Sequence, residues 1–175
     1  MTARAVISFV VLCLSYALIA VIFDKGASSG NNIKREYDEA LIKETVLFYN
    51  KAISDIYTSG GVPAMLNELP SSKQLKHELF KDVNYFYSKG AVIVYDMAGL
   101  VFKDIKLTSP NTAEAITFEE WNYVTQKIKT REMLRIPKGM DAGFRYFLVR
   151  DKGGWLIVDY IPADVKYEET DKYYY

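Results

Sequence analysis

The chain has 175 residues with 22 basic and 22 acidic side chains, so its net charge at neutral pH is zero. That balance excludes a nucleic-acid binder working through a broad basic field. One histidine and one cysteine leave only carboxylates as metal ligands, and neither metal nor cofactor is expected.

Residues 5–23 form an uncharged apolar run. As a helix it would extend roughly 28 Å, close to the roughly 30 Å hydrocarbon core of a bilayer. Residues 1–25 are therefore expected to be a single transmembrane anchor. A cleaved signal peptide is the competing reading, because Arg4 supplies a short positive region ahead of the run. The run is longer than a typical signal core, and its small-residue cleavage site, Ala27-Ser28-Ser29, lies beyond Asp24 and Lys25. Cys13 sits inside the run after Val11-Leu12, where it reads as a buried apolar side chain and not a lipidation site. Arg4 on one side faces Lys25, Lys34 and Arg35 on the other, so charge does not set the orientation. The domain is expected outside the cytoplasm, in a periplasm-like compartment, as is usual after an anchor of this kind. Residues 26–32 are small and polar and read as a short spacer.

The remaining residues suffice for one domain, 33–163, and an acidic tail, 164–175. Residues 33–59 have helical periodicity, with Tyr37, Leu41, Phe48, Ala52 and Ile56 on one stripe, Asn31 or Asn32 as cap and Gly60-Gly61 as the stop. A short helix follows between Pro63 and Leu69, ended by Pro70. Ser71 and Gln74 have the spacing of a capping box for a third helix with a stripe of Leu75, Leu79, Val83 and Phe86, closed by Gly90. The period then falls from near 3.6 to near 2.

Residues 92–95 fit either a strand or a last helical turn. Residues 100–108 read as a strand, and Ser109-Pro110-Asn111 as a turn into a long strand over 112–124. One face of that strand carries Ala113, Ala115, Thr117, Glu119, Trp121 and Tyr123, and the other Glu114, Ile116, Phe118, Glu120 and Val124. Residues 125–141 lack a clean period and read as an extended excursion with five basic residues, Lys127, Lys129, Arg131, Arg135 and Lys138. These suit a solvated loop, with anionic headgroups or an acidic partner as the sharper alternatives. Residues 144–150 and 155–161 form a hairpin around Asp151-Lys152-Gly153-Gly154. The tail defaults to disorder, although Tyr173-Tyr174-Tyr175 has the character of a docking element.

The last hairpin, Phe147-Leu148-Val149-Arg150 followed by Gly154-Trp155-Leu156-Ile157-Val158-Asp159, resembles the closing strands of the cone-shaped nuclear transport factor 2-like (NTF2-like) superfamily. So does the order of elements from Ile33 to Pro162. The strand from Ala113-Glu114-Ala115 to Glu120-Trp121, ahead of an arginine-rich loop, is similar to the membrane-proximal domains of cyanobacterial and plastid division proteins. Anchored assembly subunits of type IV secretion systems also pair one helix with this fold. The resemblance implies an α+β domain of three helices packed on a curved antiparallel sheet. It implies no single function, since the superfamily holds isomerases and dehydratases beside members that only bind or assemble.

Enzymes of that superfamily place a Tyr, Asp or His inside the cone. Asp159 and Glu119 are the carboxylates to consider here, with Tyr123, Tyr146 or Tyr160 as hydroxyl donors; each also has a plain structural reading. Glu119-Glu120 cannot act as a pair, because neighbours on a strand face opposite ways. His77 lies off the apolar stripe of its helix, among Lys73, Lys76 and Lys81, and reads as solvated. Neither a phosphate loop nor a nucleophile elbow is present. Fourteen tyrosines suit a binding surface as well as a tyrosine-rich core and rim. The expected function is therefore a membrane-anchored, non-enzymatic scaffold that binds another membrane protein or complex through Trp121, Tyr123, Tyr146, Tyr160 and Tyr173, Tyr174 and Tyr175. Homo-oligomers are compatible with this. The alternative is a tethered enzyme or ligand-binding cone of the isomerase or dehydratase type. A third is an accessory subunit held by its membrane helix, for which Ser8, Ser15 and Ala20 are weak packing signals.

Overall fold

The structure, a computed structural model, describes residues 30–152, 154–168 and 173–174. The expected span over residues 5–23, with Cys13, Ser8, Ser15 and Ala20, lies outside them, as does Tyr175. Among the described residues no helix is long and apolar enough to cross a membrane. The chain divides into two units, Met1–Lys34 and Arg35–Tyr175, and the second holds the sheet.

Helices α1 (Gly30–Ser59), α2 (Pro63–Glu68) and α3 (Lys73–Ser88) precede strands β1 (Ala91–Ser109), β2 (Thr112–Lys127), β3 (Lys138–Asp151) and β4 (Gly154–Ala163), with a two-residue β5 (Tyr173–Tyr174). The domain is α+β, with four long antiparallel strands in a curved sheet and the order β4-β3-β2-β1-β5. Three shifts of register along β1, between Met97 and Gly99, Phe102 and Asp104, and Leu107 and Ser109, bend it as β-bulges do. The first absorbs Ala98, which is why residues 92–95 and 100–108 are one strand and not two elements.

The inner face of β2 is the expected one: Ala113, Ala115, Thr117, Glu119 and Trp121 are all buried. They meet Leu100 of β1, Tyr146 and Leu148 of β3, Trp155 and Ile157 of β4, and helix α1 in a single core. Helix α1 begins at Gly30, so the expected spacer is shorter and Asn31 and Asn32 lie inside the helix instead of capping it. Of the expected stripe, Ile56 is buried and Leu41 and Ala52 pack against the core, but other residues complete the buried face. Asp38, Ile42, Val46, Tyr49, Asn50 and Ile56 point inward, whereas Phe48 is 51% exposed. Two polar residues on the true inner face, each with a partner on the sheet, weaken the apolar signal that marks it.

Asp38 receives the guanidinium of Arg150 from β3, with Nη2 2.5 Å from Oδ1. The same guanidinium lies over the Trp155 ring, 4.5 Å from its centroid, and donates through Nε to the Pro110 carbonyl. One side chain thus ties α1, the β1–β2 turn and β4. At the other end of α1, Ser54 donates to the Tyr95 carbonyl, so the helix runs the length of the sheet.

The cap of α3 is Ser72, whose Oγ accepts from the Leu75 amide at 3.2 Å, and not Ser71. Ser71 forms a parallel bridge to Ile157, flanked by Ser72 N to Ile157 O and Ile157 N to Pro70 O bonds. The free side of β4 is thereby paired, which removes part of an exposed edge. At the far edge β5 pairs with Leu100 and Val101 of β1. Tyr173 and Tyr174, at least, are thus paired and not the disordered residues expected of the tail. Residues 164–168 begin a strap across the outer face: Val165 lies against Gly143, and the Tyr167 ring is 6.2 Å from that of Phe118. Phe118 and Val101, both buried, are outer-face residues that need such a cover.

Gly143 has no room for a side chain, since a Cβ would come within 2.3 Å of the Ala163 carbonyl oxygen and 2.5 Å of Val165 Cγ2. Gly143→Val is expected to cost about 2 kcal/mol or more. Gly139→Ala, whose Cβ would meet nothing nearer than Asn122 Oδ1 at 3.9 Å, is expected to cost about 0.5 kcal/mol or less. Denaturation midpoints of the two variants check the difference.

Candidate functional site

The period-two pattern of β2 aims Thr117, Glu119 and Trp121 at the same side, and all three converge on one carboxylate. Glu119 is 1% exposed. Its Oε1 accepts from Thr117 Oγ1 at 2.8 Å, Tyr146 Oη at 2.7 Å and Asn50 Nδ2 at 3.2 Å. Its Oε2 accepts from Trp121 Nε1 at 2.9 Å. Asn50 comes from α1 and Tyr146 from β3, so the carboxylate joins the helix to two strands. Three donors crowd Oε1, and Oε2 with its single donor keeps one acceptor site open.

Above this cluster lies a pocket of about 150 Å³, lined by Tyr49, Ile53 and Tyr57 of α1, Tyr95 of β1, Met140 and Phe144 of β3 and Tyr160 of β4, with Glu119, Trp121, Tyr146 and Asn50 below. The rings meet largely edge to face: Tyr49 and Tyr146 at 6.2 Å, Tyr57 and Tyr95 at 5.1 Å, Tyr95 and Trp121 at 6.0 Å, Phe144 and Tyr160 at 6.0 Å. Tyr160 and Met140 remain exposed beside the opening.

Burial pushes the proton affinity of Glu119 up; the bonds from Tyr146, Trp121, Thr117 and Asn50 oppose this without cancelling it. Burial, and then the neighbouring Glu119, raises Tyr146 well above the usual phenol range. Burial likewise raises Tyr49, Tyr57, Tyr95 and Tyr160. The pocket wall is thus a set of neutral hydroxyls that stay neutral across physiological pH.

The candidate residues read from the sequence part company here. Glu119, Trp121, Tyr146 and Tyr160 come together. Tyr146 is buried as a donor to Glu119 and offers no rim surface. Tyr123 stacks on Tyr95, ring centroids 5.8 Å apart, and does not line the pocket. Asp159 is outside it altogether. A bulge places Val158 between the pairs Phe147–Asp159 and Leu148–Ile157, so Trp155 and Ile157 face inward but Asp159 faces outward and Tyr160 inward. The Asp159 carboxylate is exposed and accepts from the Tyr160 amide at 2.8 Å. Tyr173 and Tyr174 pair with the β1 edge, away from the opening. His77 is exposed on α3. Asn50, Tyr49, Tyr57 and Tyr95 were not legible as site residues. The available signal was Asn50 itself, an amide inside an otherwise amphipathic helix.

The domain matches the intermembrane space region of the chloroplast protein ARC6 with a TM-score of 0.59 and 16% identity, over 69% of this chain and 92% of that one. The fold is the NTF2-like cone. A ketosteroid isomerase-like protein from Erwinia carotovora atroseptica matches with a TM-score of 0.46 and 15% identity, over 69% of this chain and 91% of that one. An NTF2-like protein involved in plasmid conjugation matches at 0.43 and 11%, over 62% and 42%. No family model and no curated protein matches the sequence. At these identities the likeness concerns fold, and the cone's chemistry rests on its own residues.

A carboxylate whose folded-state proton affinity is raised stabilises the fold most when it is protonated in both states. Its contribution is complete below the unfolded value of 4.5 and is lost as pH rises through the raised folded value. Glu119→Gln removes that slope. It also sets an amide N–H against Trp121 Nε1–H, for a cost of about 1–3 kcal/mol below the unfolded value. The native protein's advantage over the variant in denaturation midpoint should be greatest at low pH and shrink as pH rises.

Proposed function

We propose that the domain is a non-catalytic binding module, tethered by residues 1–25 to a membrane with the cone outside the cytoplasm, and that it docks another protein of the same membrane as a scaffold subunit. The observation that carries this reading is the size and floor of the cone. Pockets for metabolites run from about 300 Å³ upward. A space of about 150 Å³ takes a group the size of benzene, hence one apolar side chain of a partner. Its floor is a carboxylate that accepts from four protein donors, three on Oε1 and one on Oε2, and so is tied into the protein on both oxygens. Its wall supplies tyrosine rings and neutral hydroxyls, the composition favoured at protein interfaces. Tethering supports the same reading, since it raises the effective concentration for a partner in the same membrane.

One observation favours the second reading, a small-molecule cone of the isomerase or dehydratase type: Glu119 has a raised proton affinity and lines the pocket beside Tyr146.

A photo-crosslinking residue at Met140, beside the opening, is expected to capture a stoichiometric protein in the native membrane, and one at Asn122 on the outer face is not. Ile53→Phe, which fills the pocket, should lower the yield about tenfold while leaving the melting temperature within a few degrees. Equal capture at both positions would sink the docking reading. A small molecule seen by native mass spectrometry of the purified chain, and lost in Glu119→Gln, would replace it with the ligand-binding cone.

A further inference from the structure

Beyond the cone, the loop that leaves β2 carries a second surface. Residues 129–140 are exposed without interruption. Among them Met133, Leu134 and Met140 are large apolar side chains in solvent, and Ile136 is 85% exposed. Lys129, Arg131, Arg135 and Lys138 alternate with them. Among the described residues these four cations have no ion-pair partner; the single acid of the loop, Glu132, is held by Lys127.

This is not a slack segment. Lys127 N bonds Glu132 O, Arg131 N bonds Lys127 O, Leu134 N bonds Thr125 O and Ile128 N bonds Gly90 O. Met133 bridges back to Gln126, and Arg131 holds a φ of 58°, a backbone region that non-glycine residues seldom occupy. The backbone is tied down from Lys127 to Leu134, and β3 resumes at Lys138, so the loop holds apolar side chains in water between unpaired cations. Isolated exposed apolar residues need no explanation, but a contiguous patch of them marks a contact surface.

We propose that this loop docks a partner protein segment rich in both acidic and apolar side chains. Its four unpaired cations, two of them arginines suited to bidentate carboxylate recognition, complement such a segment. The two methionines provide the adaptable apolar contact that binding surfaces use. A lipid surface has the same gross chemistry, but continuity with the aromatic pocket, which Met140 also lines, favours protein. The surface adjoins the opening of the cone through Met140, so it deepens the docking reading above and gives the partner its chemical class.

The test is selection of displayed random peptides on the full chain in zwitterionic phosphatidylcholine nanodiscs, followed by titration of the enriched peptides. Enrichment of Asp and Glu beside Leu, Ile or Phe is expected. Affinity should fall about tenfold or more in the double variant Arg131→Glu, Arg135→Glu and in Ile136→Ser, with the melting temperature unchanged. Ile53→Phe should leave these peptides bound, so failure of the cone reading and failure of this one are separable. Enriched peptides without acidic bias, or ones indifferent to the loop variants, overturn the proposal. A spin-labelled anionic lipid that quenches a fluorophore at Ile136→Cys in a Cys13→Ser background, with no peptide enriched, overturns it in favour of a membrane contact.

Discussion

The carboxylate of Glu119 is the constraint around which the rest of the domain is arranged. An ionisable group with 1% exposure is tolerated only when its hydrogen-bonding capacity is filled or its charge is given up. Here both happen in part. Four donors surround it, and burial still raises its proton affinity. Two donors, Thr117 and Trp121, come at no topological cost because they flank Glu119 at spacing two on its own strand. The other two fix tertiary structure. Tyr146 must stand opposite on β3, and Asn50 must arrive from the helix, which sets both the height and the rotation of α1 over the sheet.

That rotation is repeated at the far end of the helix by Asp38, buried against Arg150. Two polar residues separated by roughly three helical turns therefore hold the same face of α1 on the sheet, with Ile42, Val46 and Tyr49 between them. Breaking a buried pair of this kind costs about 3–5 kcal/mol, comparable with a large core truncation. Such bonds define orientation more sharply than apolar contact does, because a rotated helix would still bury hydrocarbon but would leave two polar groups without partners.

The same polar choices explain what could be read from the sequence. The inner face of β2 was legible because strand alternation is indifferent to whether Thr117 or Glu119 is polar. The closing hairpin was legible because two apolar runs flank an obvious turn, and it carried the likeness to the NTF2-like fold. The stripe of α1 is legible only in part, through Leu41, Ala52 and Ile56, because Asp38 and Asn50 occupy its buried face while Phe48 looks apolar and lies outside. Asp159 was a candidate because nothing in the one-dimensional pattern reveals the bulge at Val158, which turns Tyr160 inward and Asp159 out. The tail was misjudged for a related reason. Its acidic, tyrosine-rich composition says nothing of Phe118 and Val101, which sit on the outer face and need a cover.

Aromatic rings occupy most of the space between α1 and the sheet, leaving a pocket of about 150 Å³. Tyr49, Tyr57, Tyr95, Phe144, Tyr146, Tyr160 and Trp121 direct their rings into the space between helix and sheet. Packed edge to face, they keep the sheet's curvature without leaving a chamber of metabolite size. The hydroxyls at the wall remain neutral, so what reaches the pocket meets hydrogen-bonding groups and ring edges, with Glu119 the one ionisable carboxyl of the lining. On the binding reading proposed above, this aromatic socket and the basic loop beside it form one surface, a pairing of an apolar anchor point with a charged surround.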